Sequence, residues 1–167
     1  MRLENLNTIT LHSCKISTFP NLTLVHKTLS SLEIHNNNIS HIPASSLQNM
    51  TKLGKLILTN NILTSFPFEV LKGCPLLTQI SLRQNSISTV PDLRPLLNNS
   101  LDVTVDLTDN PLNCDIGLCW LKELTDAGTS KLKVLVSSQP CEQPVHLVST
   151  NWIDITWYQL NCHLSKL

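Results

Sequence analysis

One spacing constrains this chain more than any other feature. Asparagine, or once cysteine, recurs at Cys14, Asn37, Asn61, Asn85 and Asn110, in steps of 23, 24, 24 and 25 residues. Apolar residues keep the same offsets around each of them. The clearest copy runs from Leu53 to Pro67, LGKLILTNNILTSFP, with Leu53, Leu56, Leu58, Asn61, Leu63, Phe66 and Pro67 in the fixed places. Leu56 and Leu58 are two apart, so both point to one face of a short strand. Leu53, Leu63 and Phe66 reach the same core from the turns on either side. Asn61 stands where the chain bends after the strand, and a buried amide there satisfies backbone groups that the bend leaves unpaired. Pro67 ends the strand, having no N–H to give to a ladder.

Four further copies follow this template. Leu6, Ile9, Leu11, Cys14, Ile16, Phe19 and Pro20 form the first, and Leu29, Leu32, Ile34, Asn37, Ile39, Ile42 and Pro43 the second. Leu77, Ile80, Leu82, Asn85, Ile87, Val90 and Pro91 form the fourth. The fifth is degraded: Val105, Leu107, Asn110 and Leu112 fit, but Asp102 stands where the first leucine belongs. Units repeated in phase bury their apolar face only by stacking on one another. The expected fold is therefore an α/β solenoid, a curved parallel sheet of about five repeats of about 24 residues spanning residues 1–112. Leu47, Met50, Leu71 and Cys74 are expected in the core from extended or short helical return segments. Composition agrees: 167 residues make one domain's worth, and 41% hydrophobic with 4% aromatic residues describes an aliphatic core for narrow layers.

At Asn110 the pattern changes. NPLNCDIGLCWLKELTDAG predicts a helix with Asp115 as N-cap and Gly128 as C-cap. Leu118, Trp120, Leu121 and Leu124 supply its buried face, and Lys122 and Glu123 are expected to be exposed. Cys141 and Cys162 follow, with Trp152, Ile155, Trp157 and Leu160 between them. The last repeat of a solenoid would otherwise expose its core, and residues 110–162 provide the cap such an array needs, leaving 163–167 as a tail. Four cysteines permit three disulfide connectivities. Zinc, with His146 or His163 completing the set, would call for two closely spaced ligand pairs; the cap has only Cys114-x4-Cys119. Disulfides are the reading preferred, with no metal and no cofactor. Cys14 and Cys74, two repeats apart, are expected to be free, buried small hydrophobes.

The repeats and the N-P-x-x-C-D…W-L…C…C cap together resemble the extracellular leucine-rich-repeat proteins: Toll-like receptor ectodomains, slit-type guidance proteins and variable lymphocyte receptors. The resemblance implies an extracellular protein, secreted or part of a receptor ectodomain. It also implies the pairing Cys114–Cys141 and Cys119–Cys162. One departure concerns the second cysteine, which the family places at the position of Ile116 here. Residues 116 and 119 are three apart and share a helix face, so Cys119 can reach the same partner. The family's N-terminal cysteine cap is missing, so the edge of the first repeat is expected to be covered by upstream sequence or by a partner, the chain being a fragment. The first 25 or so residues lack the basic start and apolar block of a secretory signal. No apolar run approaches the roughly 18 residues of a membrane helix.

Twelve basic and twelve acidic residues cancel, which argues against nucleic acid as a partner. Sequons at Asn21, Asn38, Asn49 and Asn98 agree with an extracellular glycoprotein. The terminal Ser165-Lys166-Leu167 matches a peroxisomal address, which a disulfide cap contradicts. Between the strand leucines, outward residues should stack into columns about 4.8 Å apart. One column is His12, His35, Thr59, Arg83 and Thr108; the next is Thr10, Glu33, Ile57, Ser81 and Asp106. His12 and His35 beside Glu33 lack the rest of a nucleophile, base and oxyanion set, so no enzyme is expected. Glu33, His35, Lys55, Ile57, Thr59 and Arg83 are the candidate site for a protein partner, with Ile57 as an apolar anchor. The competing readings are a structural or adhesion component without a dedicated ligand, and an intracellular scaffold with reduced cysteines.

Overall fold

The computed structural model describes residues 5–96, 102–128 and 130–163, so Asn98 and the tripeptide Ser165-Lys166-Leu167 lie outside the described residues. Each repeat contributes one strand: β1 (Thr8–His12), β2 (Ser31–His35), β3 (Lys55–Ile57), β4 (Gln79–Ser81) and β5 (Val103–Asp106). They pair in parallel in chain order, with Ile9, Leu32, Leu56, Ile80 and Val105 in register. The return segments carry short 3-10 turns at Ala44–Leu47, Phe68–Gly73 and Arg94–Leu96. Leu47, Met50, Leu71 and Cys74 lie in the core, as the repeat pattern requires. In the degraded fifth copy Asp102 is exposed and Val103 beside it is buried.

The repeated asparagines form a ladder of buried amides. Asn61 Oδ1 accepts from the Ile39 N–H at 3.1 Å, and its Nδ2 donates to the carbonyls of Ile34 (2.9 Å) and Leu58 (3.1 Å). Asn85 treats Leu63, Leu58 and Leu82 in the same way, and Asn110 treats Ile87, Leu82 and Leu107. Asn37 serves Cys14, Ile16 and Leu11 of the first layer. Each asparagine thus satisfies the bend of the layer before it, where backbone groups would otherwise be buried unpaired. The residue preceding each ladder position, Ser13, Asn36, Asn60, Gln84 and Asp109, is left-handed with φ between 54° and 58°. That bend turns the chain sharply out of the strand.

The last layer has no following repeat. Its Leu112 N–H, equivalent to that of Ile87, donates instead to the Pro140 carbonyl at 3.0 Å. Two short parallel strands, β6 (Leu112–Asn113) and β8 (Cys141–Gln143), fix this contact, and Cys114–Cys141 locks it. Cys119–Cys162 ties the start of helix α1 (Cys119–Ala127) to the end of the cap. The Cα separations of 5.4 and 5.5 Å suit both bridges, so the pairing implied by the family resemblance is the one found and the zinc alternative falls. Asp115 caps the 3-10 turn Ile116–Leu118 that leads into α1, and Gly128, at φ 70°, ends the helix in the left-handed conformation. Strand β7 (Leu132–Leu135) pairs in parallel with β5, making the cap supply the sixth strand of the main sheet.

Two expectations are corrected. Cys14 is free but exposed, because among the described residues nothing packs on the outer side of the first layer, where Leu6, Ile9, Leu11, Ile16 and Phe19 are only half-buried. Lys122 is buried at 6% exposure, and its Nζ pairs with Asp126 at 2.9 Å and donates to the Ile153 carbonyl at 3.5 Å. Glu123 is half-buried and receives Arg94 at 2.7 Å, which bonds the fourth repeat to the cap helix. Burial alone would raise the Asp92 carboxyl, but the Arg94 guanidinium beside it holds it below its ordinary value.

The layer packing gives a direct test of register. Leu58→Ala should destabilise the fold by about 2–5 kcal/mol in urea unfolding, since Leu58 is fully enclosed between layers. Lys55→Ala, outward at the start of strand β3, should cost under about 1 kcal/mol despite its ion pair with Glu33. Equal costs would mean the strands are slipped by one residue.

Candidate binding face

The register of β1 to β5 carries twelve outward side chains onto one continuous face, and Thr59, Arg83 and Thr108 continue it just beyond β3, β4 and β5. Thr10, Glu33, Ile57, Ser81 and Asp106 lie side by side, and β7 extends that column with Leu135. Thr8, Ser31, Lys55, Gln79, Thr104 and Lys133 form the column on one side of it. On the other side His12 and His35 are opposed, their ring centroids 4.6 Å apart. The six candidate partner-binding residues therefore share one surface: Arg83 is exposed, and Glu33, His35, Lys55, Ile57 and Thr59 are half-buried. The sheet brings them together from three repeats, which is what alternation along a strand and stacking across layers dictate.

The face is less charged in effect than its composition suggests. Lys55 Nζ lies 2.7 Å from Glu33 Oε1, and Ser31 adds a hydrogen bond at 3.3 Å. The Lys55 hydrogen bond holds the Glu33 carboxyl below its ordinary value. Arg83 pairs with Asp109 at 3.0 Å. Thr59 Oγ1 and Ser81 Oγ are 2.9 Å apart, and Asp106 accepts from the Thr108 hydroxyl at 2.6 Å. His12 Nε2 is hydrogen-bonded to the Asn36 side-chain amide, whose oxygen accepts from Asn60 at 2.8 Å. Ile57 is thus an apolar side chain set among polar groups that already have neighbours. Among the described residues, no three His, Cys, Asp or Glu side chains converge as metal ligands.

The sequon asparagines occupy other surfaces. Asn21 and Asn49 are exposed on the return side, and Asn38 is exposed just beyond the bend that follows β2. Two features of the face had no expectation attached to them: the β7 strand of the cap, and the left-handed residue before each ladder asparagine. The first was signalled by polar–apolar alternation over Lys131–Val134, where Leu132 and Val134 are buried.

The sequence profile described as "Leucine rich repeat" matches residues 27–87, which covers the second and third layers and most of the fourth. With the stacked layers, that match makes the fold a leucine-rich-repeat solenoid. Among curated proteins it is similar to leucine-rich repeat and fibronectin type III domain-containing protein 1 of Danio rerio, 23% identical over 81% of this chain and 24% of that protein. It is also similar to leucine-rich repeat and fibronectin type-III domain-containing protein 4 of Rattus norvegicus, 28% identical over 58% of this chain and 16% of that protein. Receptor-like protein 32 of Arabidopsis thaliana is 31% identical over 65% of this chain and 13% of its own length. The leucine-rich-repeat chain thus spans no more than 24% of the length of these relatives. Among the described residues no helix is long and apolar enough to cross a membrane.

Proposed function

We propose that this chain is a protein-recognition module working outside the cell, binding a protein partner through the outward face of its sheet. The observation that carries the reading is the pairing of Glu33 with Ile57 beside Lys55, with His35, Thr59 and Arg83 further along the same three layers and Ile57 half-exposed among them. An acid, two cations and one aliphatic side chain suit a protein surface better than a polyanion, which would want its basic contacts undiluted. The two cap disulfides support an oxidising setting, and the receptor-like and fibronectin-linked relatives support a role in receptor or adhesion assemblies. The role is non-enzymatic recognition. One observation favours a second reading, a structural component without a dedicated ligand: the Lys55–Glu33 and Arg83–Asp109 pairs are already satisfied within the chain.

Cross-linking capture from extracellular fluid, followed by quantitative binding to the captured protein, separates the two. Ile57→Ala or Arg83→Ala should each weaken binding by about 2 kcal/mol, roughly thirtyfold, without unfolding the chain. Charge reversal at Glu33 and Arg83 should abolish it, whereas reversal at Glu69 and Lys72, paired at 2.7 Å on the return side, should not. The opposite pattern moves the site off the sheet, and no captured partner favours the structural reading.

A further inference from the structure

A cavity of about 510 Å³ opens on the side away from the sheet, between the return segments of the first two repeats. That volume falls within the roughly 300–1,000 Å³ of clefts that hold small ligands. Its lining combines the rings of Phe19, Pro20 and Pro43 with the hydroxyls of Ser45 and Ser46. A pyranose offers the matching chemistry, a C–H face for the rings and hydroxyls for the polar groups.

Two further lining residues are Asn21 and Asn49, the acceptor positions of Asn-Leu-Thr and Asn-Met-Thr, one from each return segment. Both are exposed. Asn21 Oδ1 accepts two hydrogen bonds from Thr23, from its N–H at 2.9 Å and from its hydroxyl at 2.5 Å. No hydrogen bond among the described residues engages Asn21 Nδ2, the atom that would carry a sugar. Asn49 is left-handed, with φ 58°, and Gly73 of the next return segment lies close against its backbone. Leu24, next to Thr23, is 82% exposed, an apolar surface that a glycan on Asn21 would shield. Asn38, the third described sequon, is not part of the cavity lining.

We propose that Asn21 and Asn49 carry N-linked glycans whose innermost sugars lie in this cavity, so that the chain binds its own carbohydrate. The proposal rests on the extracellular reading, because the transferase acts only on chains entering the secretory route. In the transfer Nδ2 attacks the anomeric carbon of an oligosaccharide held on a lipid diphosphate. The N–C bond forms as the C–O bond to phosphate breaks; the diphosphate leaves with that electron pair, and Nδ2 gives up one proton. The seated sugars would cover the return side of the first two layers and leave the sheet face open.

The test is to direct the full chain into the secretory pathway of cultured eukaryotic cells and map the product. Peptide-N-glycosidase digestion in heavy-oxygen water reports occupancy at Asn21, Asn38 and Asn49. Occupancy at Asn21 and Asn49 is expected, with release from the native protein slower than from the denatured protein by about tenfold, the factor that 1.4 kcal/mol of packing would give. Thr23→Ala should remove one glycan's mass, and Thr23→Ser should retain it. Occupancy at Asn38 without Asn21 and Asn49 overturns the proposal and leaves the extracellular reading standing. Release from both sites as fast in the native as in the denatured protein overturns the seating. No occupancy at any of the three overturns the proposal and the extracellular reading together.

Discussion

Replacing Asn61 by leucine will destabilise the fold by roughly 3 kcal/mol or more, although the substitution adds an apolar side chain to an apolar core. The loss comes from two backbone groups, the Ile39 N–H and the Ile34 carbonyl, which bond to the Asn61 amide at 3.1 and 2.9 Å, while the Leu58 carbonyl keeps its bond to Asn85. Asn61 is 6% exposed, so water does not replace the amide, and each orphaned group costs about 1–3 kcal/mol. Urea unfolding measures the effect. Asn60→Gly, one residue earlier, is the control: Asn60 is exposed and has φ 54°, a conformation glycine adopts without strain, and its change should stay within about 0.5 kcal/mol. Comparable losses at both positions would mean that the ladder does not hold the layers together.

Breaking the second cap disulfide should have an effect of similar size. Cys119 and Cys162 are 43 residues apart in sequence, and losing such a bridge costs about 2–5 kcal/mol. In Cys119→Ser, hydrogen exchange should accelerate first in α1 and the segment around Trp152 to Leu160, with β2 and β3 still protected. Uniform acceleration would make cap and repeats a single cooperative unit. In the unmodified native protein a thiol reagent should label Cys14 alone. Burial pushes the Cys74 thiol up to about 11, so at neutral pH it carries almost no thiolate, and the four cap sulfurs are bonded. Labelling of the cap cysteines would sink the oxidised cap and with it the extracellular reading.

The repeats were legible because their cause is periodic. A leucine two positions from another and an asparagine every 23 to 25 residues state both the strand face and the stacking interval. The outward columns followed from the same arithmetic, and the observed pairing of Glu33 with Ile57, and of Ile57 with Ser81, is that register. What the pattern did not carry was non-periodic. The exposure of Cys14 depends on what packs outside the first layer, not on its own offset. The burial of Lys122 depends on a partner 31 residues away in sequence, the Ile153 carbonyl. Strand β7 has the alternation of a strand, but its four residues lie outside the 24-residue interval and so outside the repeat grid. Whether the polar groups of the face would be free or paired was equally invisible, since Asp109, the partner of Arg83, sits in a bend and not in a column.

The ladder also gives the array a direction. Every asparagine reaches back to the preceding layer and none reaches forward, so each bend depends on the repeat that follows it. Trimming whole layers from the N-terminal end therefore leaves every remaining bend with its clamp. Trimming from the C-terminal end strands the amide of whichever layer becomes last, because the Pro140 carbonyl that serves Leu112 leaves with the cap. Lengthening and shortening of such a protein is consequently asymmetric: repeats can be gained or lost ahead of the cap as complete units, while the cap must stay the terminus.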